Sequence, residues 1–199
     1  RRNRVAHSSS RGGVGMTAPA LDTTTTVVGR LAALADETRS TGLSPELRSD
    51  VTRRVLDVIG NSLAAIDQPS ATAVARVTAA WGGTEQATAV SGGRLPAAAA
   101  ALVNGTLAHS LDFDDTHLPS VLHPSSSVAA GEAIRASGPA VLDAAGVGIE
   151  VAVRLGMGGY DRELGNSEFF ERGLHATSIT GAVGAAVAAA MLYAQDRDG

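Results

Sequence analysis

Cysteine and lysine are both absent from the 199 residues, and aromatic side chains make up only 3%. Without cysteine there is no disulfide, no thiolate nucleophile, no cysteine-ligated zinc and no cysteine-held iron–sulfur cluster. A reducing, cytoplasmic setting is the expected one. Without lysine there is no Schiff-base chemistry and no P-loop lysine. All sixteen cationic side chains are arginine, which is permanently charged and cannot shuttle a proton. Four of them fall in the first fifteen residues, so the remainder sets twelve bases against twenty acids, a charge of −8. An acidic body argues against nucleic acid as a partner.

What is present is 44% hydrophobic and 18% charged, enough for a real core and too apolar for a disordered chain. The opening RRNRVAHSSSRGGVG carries a twin arginine but no apolar stretch behind it. Residues 1–15 are expected to be a disordered leader, with Met16 a start, and residues 16–199 to form one helical unit.

Apolar residues at Val27, Val28, Leu31, Leu34 and Ala35 have the spacing of one helical face. A second helix is expected to open at Ser44, a capping residue followed by Pro45 and Glu46. Its apolar stripe is Leu47, Val51, Val55, Ile59, Leu63 and Ile66, stopped by Pro69. Ser70 to Trp81 reads as helix, and Gln86 to Val90 as a short strand between glycines. The alanine-rich segments Pro96 to Ala108, Ser125 to Ala136, Ala140 to Met157 and Thr177 to Ala194 all favour helix. Their small side chains allow close backbone approach, so an all-α helical bundle is expected. Thr177 to Ala194 is mostly apolar, but alanine is weakly hydrophobic and Glu171, Arg172 and His175 lie close by, so no membrane span is assigned.

Between two apolar helices lies NGTLAHSLDFDDTHLPSVLHPSSS, Asn104 to Ser127, with His109, His117 and His123 among Asp112, Asp114 and Asp115. A loop of titratable groups held by rigid helices is a usual place for a site. His109 and Asp112 are a helical step apart, and Asp112 and Thr116 share a face if that helix continues. His123 precedes Pro124, so it sits beside the N–H groups of Ser125 to Ser127 at a helix start. His175 repeats the design ahead of Thr177 and Ser178. Two such helix mouths suit two carboxylates. Solvated or capping roles explain each residue singly. A metal centre is the rival reading for the group, since His109, Asp112, Asp115, His117 and His123 offer nitrogen and oxygen donors; no HExxH-type spacing supports it, and no metal is assigned. No GxSxG elbow supports a serine hydrolase.

The ordered elements Asn104-Gly105, Ala108-His109, the run Leu111 to His117, His123-Pro124-Ser125, Gly148-Ile149-Glu150-Val151, Arg154-Leu155-Gly156, Gly173-Leu174-His175 and Gly181-Ala182 resemble the MmgE/PrpD family from about Leu47 onward. The resemblance implies a metal-independent, cofactor-free lyase of small polycarboxylates. Dehydration of a 2-methylcitrate-like substrate comes first, and cis-aconitate decarboxylation or iminodisuccinate epimerisation are the alternatives. It implies a homodimer, each subunit a large helical domain plus a smaller α+β domain. The present chain then corresponds to part of the helical domain, with the second domain and the family's catalytic lysines absent from it. By motif, Asp112, Thr116, His123 and His175 are the expected catalytic positions. Ser125, Ser126 and Thr177 are expected to bind substrate. In this reading His123 or His175 handles the proton, Asp112 orients a histidine, and Thr116 with the Ser125 to Ser127 amides holds a carboxylate. A rival of another class is an inactive, truncated chain that serves only as a binding or dimerisation module.

Overall fold

The computed structural model describes residues 26–129 and 136–193. The expected leader, Met16 and the far end of the Ser125 to Ala136 helix lie outside the described residues. The architecture is all-α, as expected. Eight helices are described: α1 (Val27–Thr41), α2 (Pro45–Ala64), α3 (Pro69–Ala79), α4 (Ala97–His109), α5 (Pro124–Ala129), α6 (Gly138–Met157), α7 (Glu168–Glu171) and α8 (Ala176–Leu192). Two small antiparallel pairs interrupt them, β1 (Ala87–Thr88) with β2 (Arg94–Leu95), and β3 (Tyr160–Asp161) with β4 (Asn166–Ser167).

Helix α2 begins where its cap requires, with the Ser44 hydroxyl accepting from the Leu47 N–H and Pro45 in the first turn. Pro69 starts α3 rather than merely ending α2. The α2 stripe needs correction. Val51 and Val58 are buried with Ser62 and Ala65, whereas Leu47, Ile59 and Leu63 are exposed at 56%, 44% and 54%. Helical drift turns the later residues outward, because an unbroken i, i+4 row rotates by about 40° per step and carries Ile59 and Leu63 about 80° and 120° away from Val51. The face that turns inward mixes steps of three and four.

Two apolar clusters form the core. Val51, Val128, Ala144, Ala145 and Ala188 join α2, α5, α6 and α8. Ala65, Ala71, Ala89, Val103 and Leu107 gather beneath α3 and α4. Helices α6 and α8 meet at glycine: a Cβ on Gly148 would lie 2.7 Å from the Gly184 carbonyl oxygen and 3.1 Å from the Ala188 Cβ. Asp143 on α6 accepts from the Leu43 N–H at 3.1 Å and from Nε and Nη2 of Arg48, tying α6 to the start of α2. Asn104 on α4 holds the β1–β2 hairpin, accepting from the Val90 N–H at 2.9 Å and donating to the Thr88 carbonyl at 3.1 Å. The loop between α4 and α5 therefore leaves one cluster after Leu107 and enters the other before Val128.

Candidate active site

Helix α4 ends at His109, and the chain then turns instead of continuing. Asp112 sits in the left-handed region at φ 56°, with its side chain 78% exposed. Asp112 and Thr116 consequently do not share a helical face. A second left-handed residue, Val121 at φ 51°, ends the 3-10 turn Leu118–Ser120. The His117 N–H donates to the Leu122 carbonyl at 2.9 Å across this turn. Leu122 is thereby driven into full burial, and His123 follows it into the site. A non-glycine residue in this region costs of order 1–3 kcal/mol, and β-branched valine is an outlier there.

The turn brings Asp114 inward. Its side chain has no exposed surface, and both carboxylate oxygens lie 3.1 Å from His109 Nδ1. His123 Nδ1 lies 3.3 Å from the Asp114 carbonyl oxygen and 3.4 Å from Asp114 Oδ1. His123 Nε2, on the other side of that ring, is 3.4 Å from Asp112 Oδ1. The His109 ring centroid is 4.8 Å from that of His123 and 5.7 Å from that of His175. Two histidines, from α4 and the loop, thus hold one buried carboxylate, and a third, at the α8 entrance, lies beside the His109 ring.

The hydrogen bond that His109 donates to Asp114 raises His109 above the usual imidazole range, with burial opposing it and the Asp114 and Asp112 charges adding to it. For Asp114, burial pushes the carboxyl up. Hydrogen bonds from His109 and Ser126, with the neighbouring imidazole charges, outweigh burial and hold it below the usual range. The pair favours imidazolium facing carboxylate.

A second carboxylate anchors the loop from outside. Asp115 accepts from the Ser125 N–H at 3.1 Å and the Ser125 hydroxyl at 2.7 Å, and it pairs with Arg54 of α2. Arg54 also donates to Asp50 at 2.8 Å, which holds the Asp50 carboxyl below its usual range.

The MmgE/PrpD N-terminal domain description matches residues 29–199. The chain belongs to the MmgE/PrpD family. It is also similar to a cis-aconitate decarboxylase from Mus musculus, 40% identical over 105 residues that cover 48% of this chain and 20% of that protein. The chain therefore spans far less than the full length of this curated relative.

Within this MmgE/PrpD domain, the structure brings Asp112, His123 and His175 around His109. It does not bring in Thr116, which is exposed and makes no hydrogen bond to the described residues. Ser125, Ser126 and Thr177 are buried and have internal partners. Ser125 faces Asp115, the Ser126 hydroxyl donates to the His123 carbonyl at 3.3 Å, and the Thr177 hydroxyl accepts from the His123 N–H at 3.0 Å. The anticipated carboxylate cradle at Ser125 is thus filled by Asp115, because a capping acid from the same loop reaches the helix start first. His117 leaves the group, pairing with the Ser120 hydroxyl at 2.6 Å. His175 sits at the entrance of α8, with Nδ1 3.0 Å from the Ser178 hydroxyl.

His109 and Asp114 are the members the expected catalytic set omitted. The signal for them was present in the DFDD run, but choosing among its acids required knowing that α4 ends at His109.

One ligand atom from each of His109, Asp112, Asp114 and His123 lies within 4.8 Å of the others. Both imidazole Nδ1 atoms in this group face Asp114 at hydrogen-bonding distance, which leaves their Nε2 atoms to other partners. Among the described residues, no helix is long and apolar enough to cross a membrane.

Proposed function

We propose that this chain is the helical part of a metal-independent lyase acting on a small polycarboxylate, with the His109–His123–His175 cluster as its acid–base centre. The observation that supports this most is the buried Asp114 holding His109 while His123 faces the exposed Asp112. A polycarboxylate needs positive charge. In a lysine-free chain whose nearby Arg54 is engaged by Asp50 and Asp115, an imidazolium on His109 supplies it.

His123 Nε2 is the proposed base. In a dehydration it takes the proton from the carbon next to a carboxylate, the carbon–hydrogen electrons form the double bond, and hydroxide leaves as water after protonation by an imidazolium. In a decarboxylation the carbon–carbon electrons stay on the substrate as carbon dioxide departs, and an imidazolium then protonates that carbon. Both need a protonated imidazole, and the dehydration needs a neutral one beside it. Dehydration of a 2-methylcitrate-like compound is the first reading. The similarity to a cis-aconitate decarboxylase favours decarboxylation as the second.

The cytoplasm is the proposed compartment. A homodimer is proposed as well, and the exposed α2 row of Leu56, Ile59 and Leu63 suits coverage by another polypeptide surface. Assay of the complete protein against 2-methylcitrate and cis-aconitate, followed by proton NMR, separates the readings. A new olefinic product from the first supports dehydration, carbon dioxide release from the second supports decarboxylation, and turnover of neither contradicts the proposal. Activity lost in chelator and restored by a metal would overturn its metal-free form.

A further inference from the structure

Imidazole has one proton to place when neutral, and its neighbours decide where it goes. At His109 both atoms facing Nδ1 are oxygens of one buried carboxylate, 3.1 Å away. At His123 both atoms facing Nδ1 are again oxygens of Asp114, its backbone carbonyl at 3.3 Å and its carboxylate at 3.4 Å. A carbonyl and an ionised carboxylate only accept. Each Nδ1 must therefore carry hydrogen, or a lone pair would face a lone pair inside a buried site.

The other two histidines near the loop differ. His117 and His175 face the hydroxyls of Ser120 and Ser178, which donate or accept equally well and impose no tautomer.

We propose that Asp114 is a positioning residue that sets two histidines at once: its carboxylate and its own carbonyl fix His109 and His123 as Nδ1–H tautomers, leaving both Nε2 atoms for substrate. Asp114 has no exposed side-chain surface, so it acts only through the rings it holds. The proposal rests on the reading of this cluster as an acid–base centre and adds which nitrogen does the work. The His123 backbone is fixed at the same time by its N–H bond to Thr177, so the ring has one orientation as well as one tautomer. Exposed Asp112 then faces the working nitrogen of His123, at the mouth of the site.

The test is nitrogen-15 NMR of the imidazole rings in the purified chain, at a pH where they are neutral. The expected result is Nδ1–H on both His109 and His123. In Asp114→Ala, His109 is expected to revert to the Nε2–H form that free imidazole prefers, while His117 and His175 keep their wild-type shifts. Wild-type spectra with either ring as Nε2–H overturn the proposal, whether or not the variant folds. A folded variant in which His109 stays Nδ1–H overturns it equally. If the variant fails to fold, the wild-type spectra decide. In the complete protein the same change is expected to lower kcat by about 10²-fold or more with little change in KM. Failure of every polycarboxylate to react would remove the lyase reading and leave the tautomer result standing.

Discussion

The α6–α8 interface and the loop from Ser110 to His123 hold the molecule together by opposite means. The interface is glycine against glycine and alanine, with Ala144, Ala152, Ala188, Gly148 and Gly184 buried without charge. Its order comes from close approach, and no polar atom has to find a partner. The loop has Asp112 and Val121 in left-handed backbone, a buried carboxylate and two imidazoles, ordered by hydrogen bonds to α2, α4, α5 and α8. The scaffold is tolerant of chemistry and intolerant of size, and the loop is the reverse. A close-packed, uncharged α6–α8 seam allows the strain and buried charge of the loop to be concentrated in fourteen residues.

That contrast can be broken from either side. Gly148→Val places side-chain atoms against the Gly184 carbonyl and Ala188, so a loss of about 1–3 kcal/mol is expected in urea unfolding. Asp115→Ala removes the acceptor for the Ser125 N–H and hydroxyl and leaves Arg54 with Asp50 alone. The expected cost is about 0.5–2 kcal/mol, with His123 resonances shifted because α5 begins one residue later. Asp112→Gly sharpens the comparison: relief of the left-handed backbone is expected to raise stability by no more than about 1 kcal/mol, while activity of the complete protein falls.

The pH dependence has a defined sign. His109 is raised above 6.5 in the folded state, so the stability it contributes is complete below about 6.5 and is lost as pH rises through the folded value. Asp114 is depressed below 3.8, so its share is present above about 3.8 and disappears as pH falls through the folded value. The groups facing His109 are Asp114, Asp112, His123 and His175. Melting temperature is therefore expected to decline in wild type as pH rises from about 6.5 through the folded value of His109, and to be flatter over that range in His109→Gln.

The scaffold was largely legible in the chain because its signals are local. Ser44-Pro45 marks a helix start, glycines and prolines separate the helices, and alanine-rich runs favour helix whatever surrounds them. The α2 stripe misled because an i, i+4 row and a core-facing row coincide for only two turns. The site was legible in composition but not in assignment. Three acids in four positions, Asp112, Asp114 and Asp115, carry three different tasks: facing His123 at the surface, holding two imidazoles in the interior, and capping α5 against Arg54. Those tasks are set by a turn whose direction depends on contacts as distant in sequence as Thr177 and Arg54, which no local pattern encodes. Ser125 and Thr177 show the same effect, since hydroxyls placed at helix mouths were claimed by the protein's own backbone and side chains.

The most direct measurement is kcat for His123→Ala in the complete protein, taken beside its melting temperature. The account predicts a fall of about 10²–10⁴-fold with the fold retained, because a positioned acid–base group is removed from a scaffold that does not depend on it. Unchanged kcat in a folded variant would contradict the claim that this cluster carries the reaction.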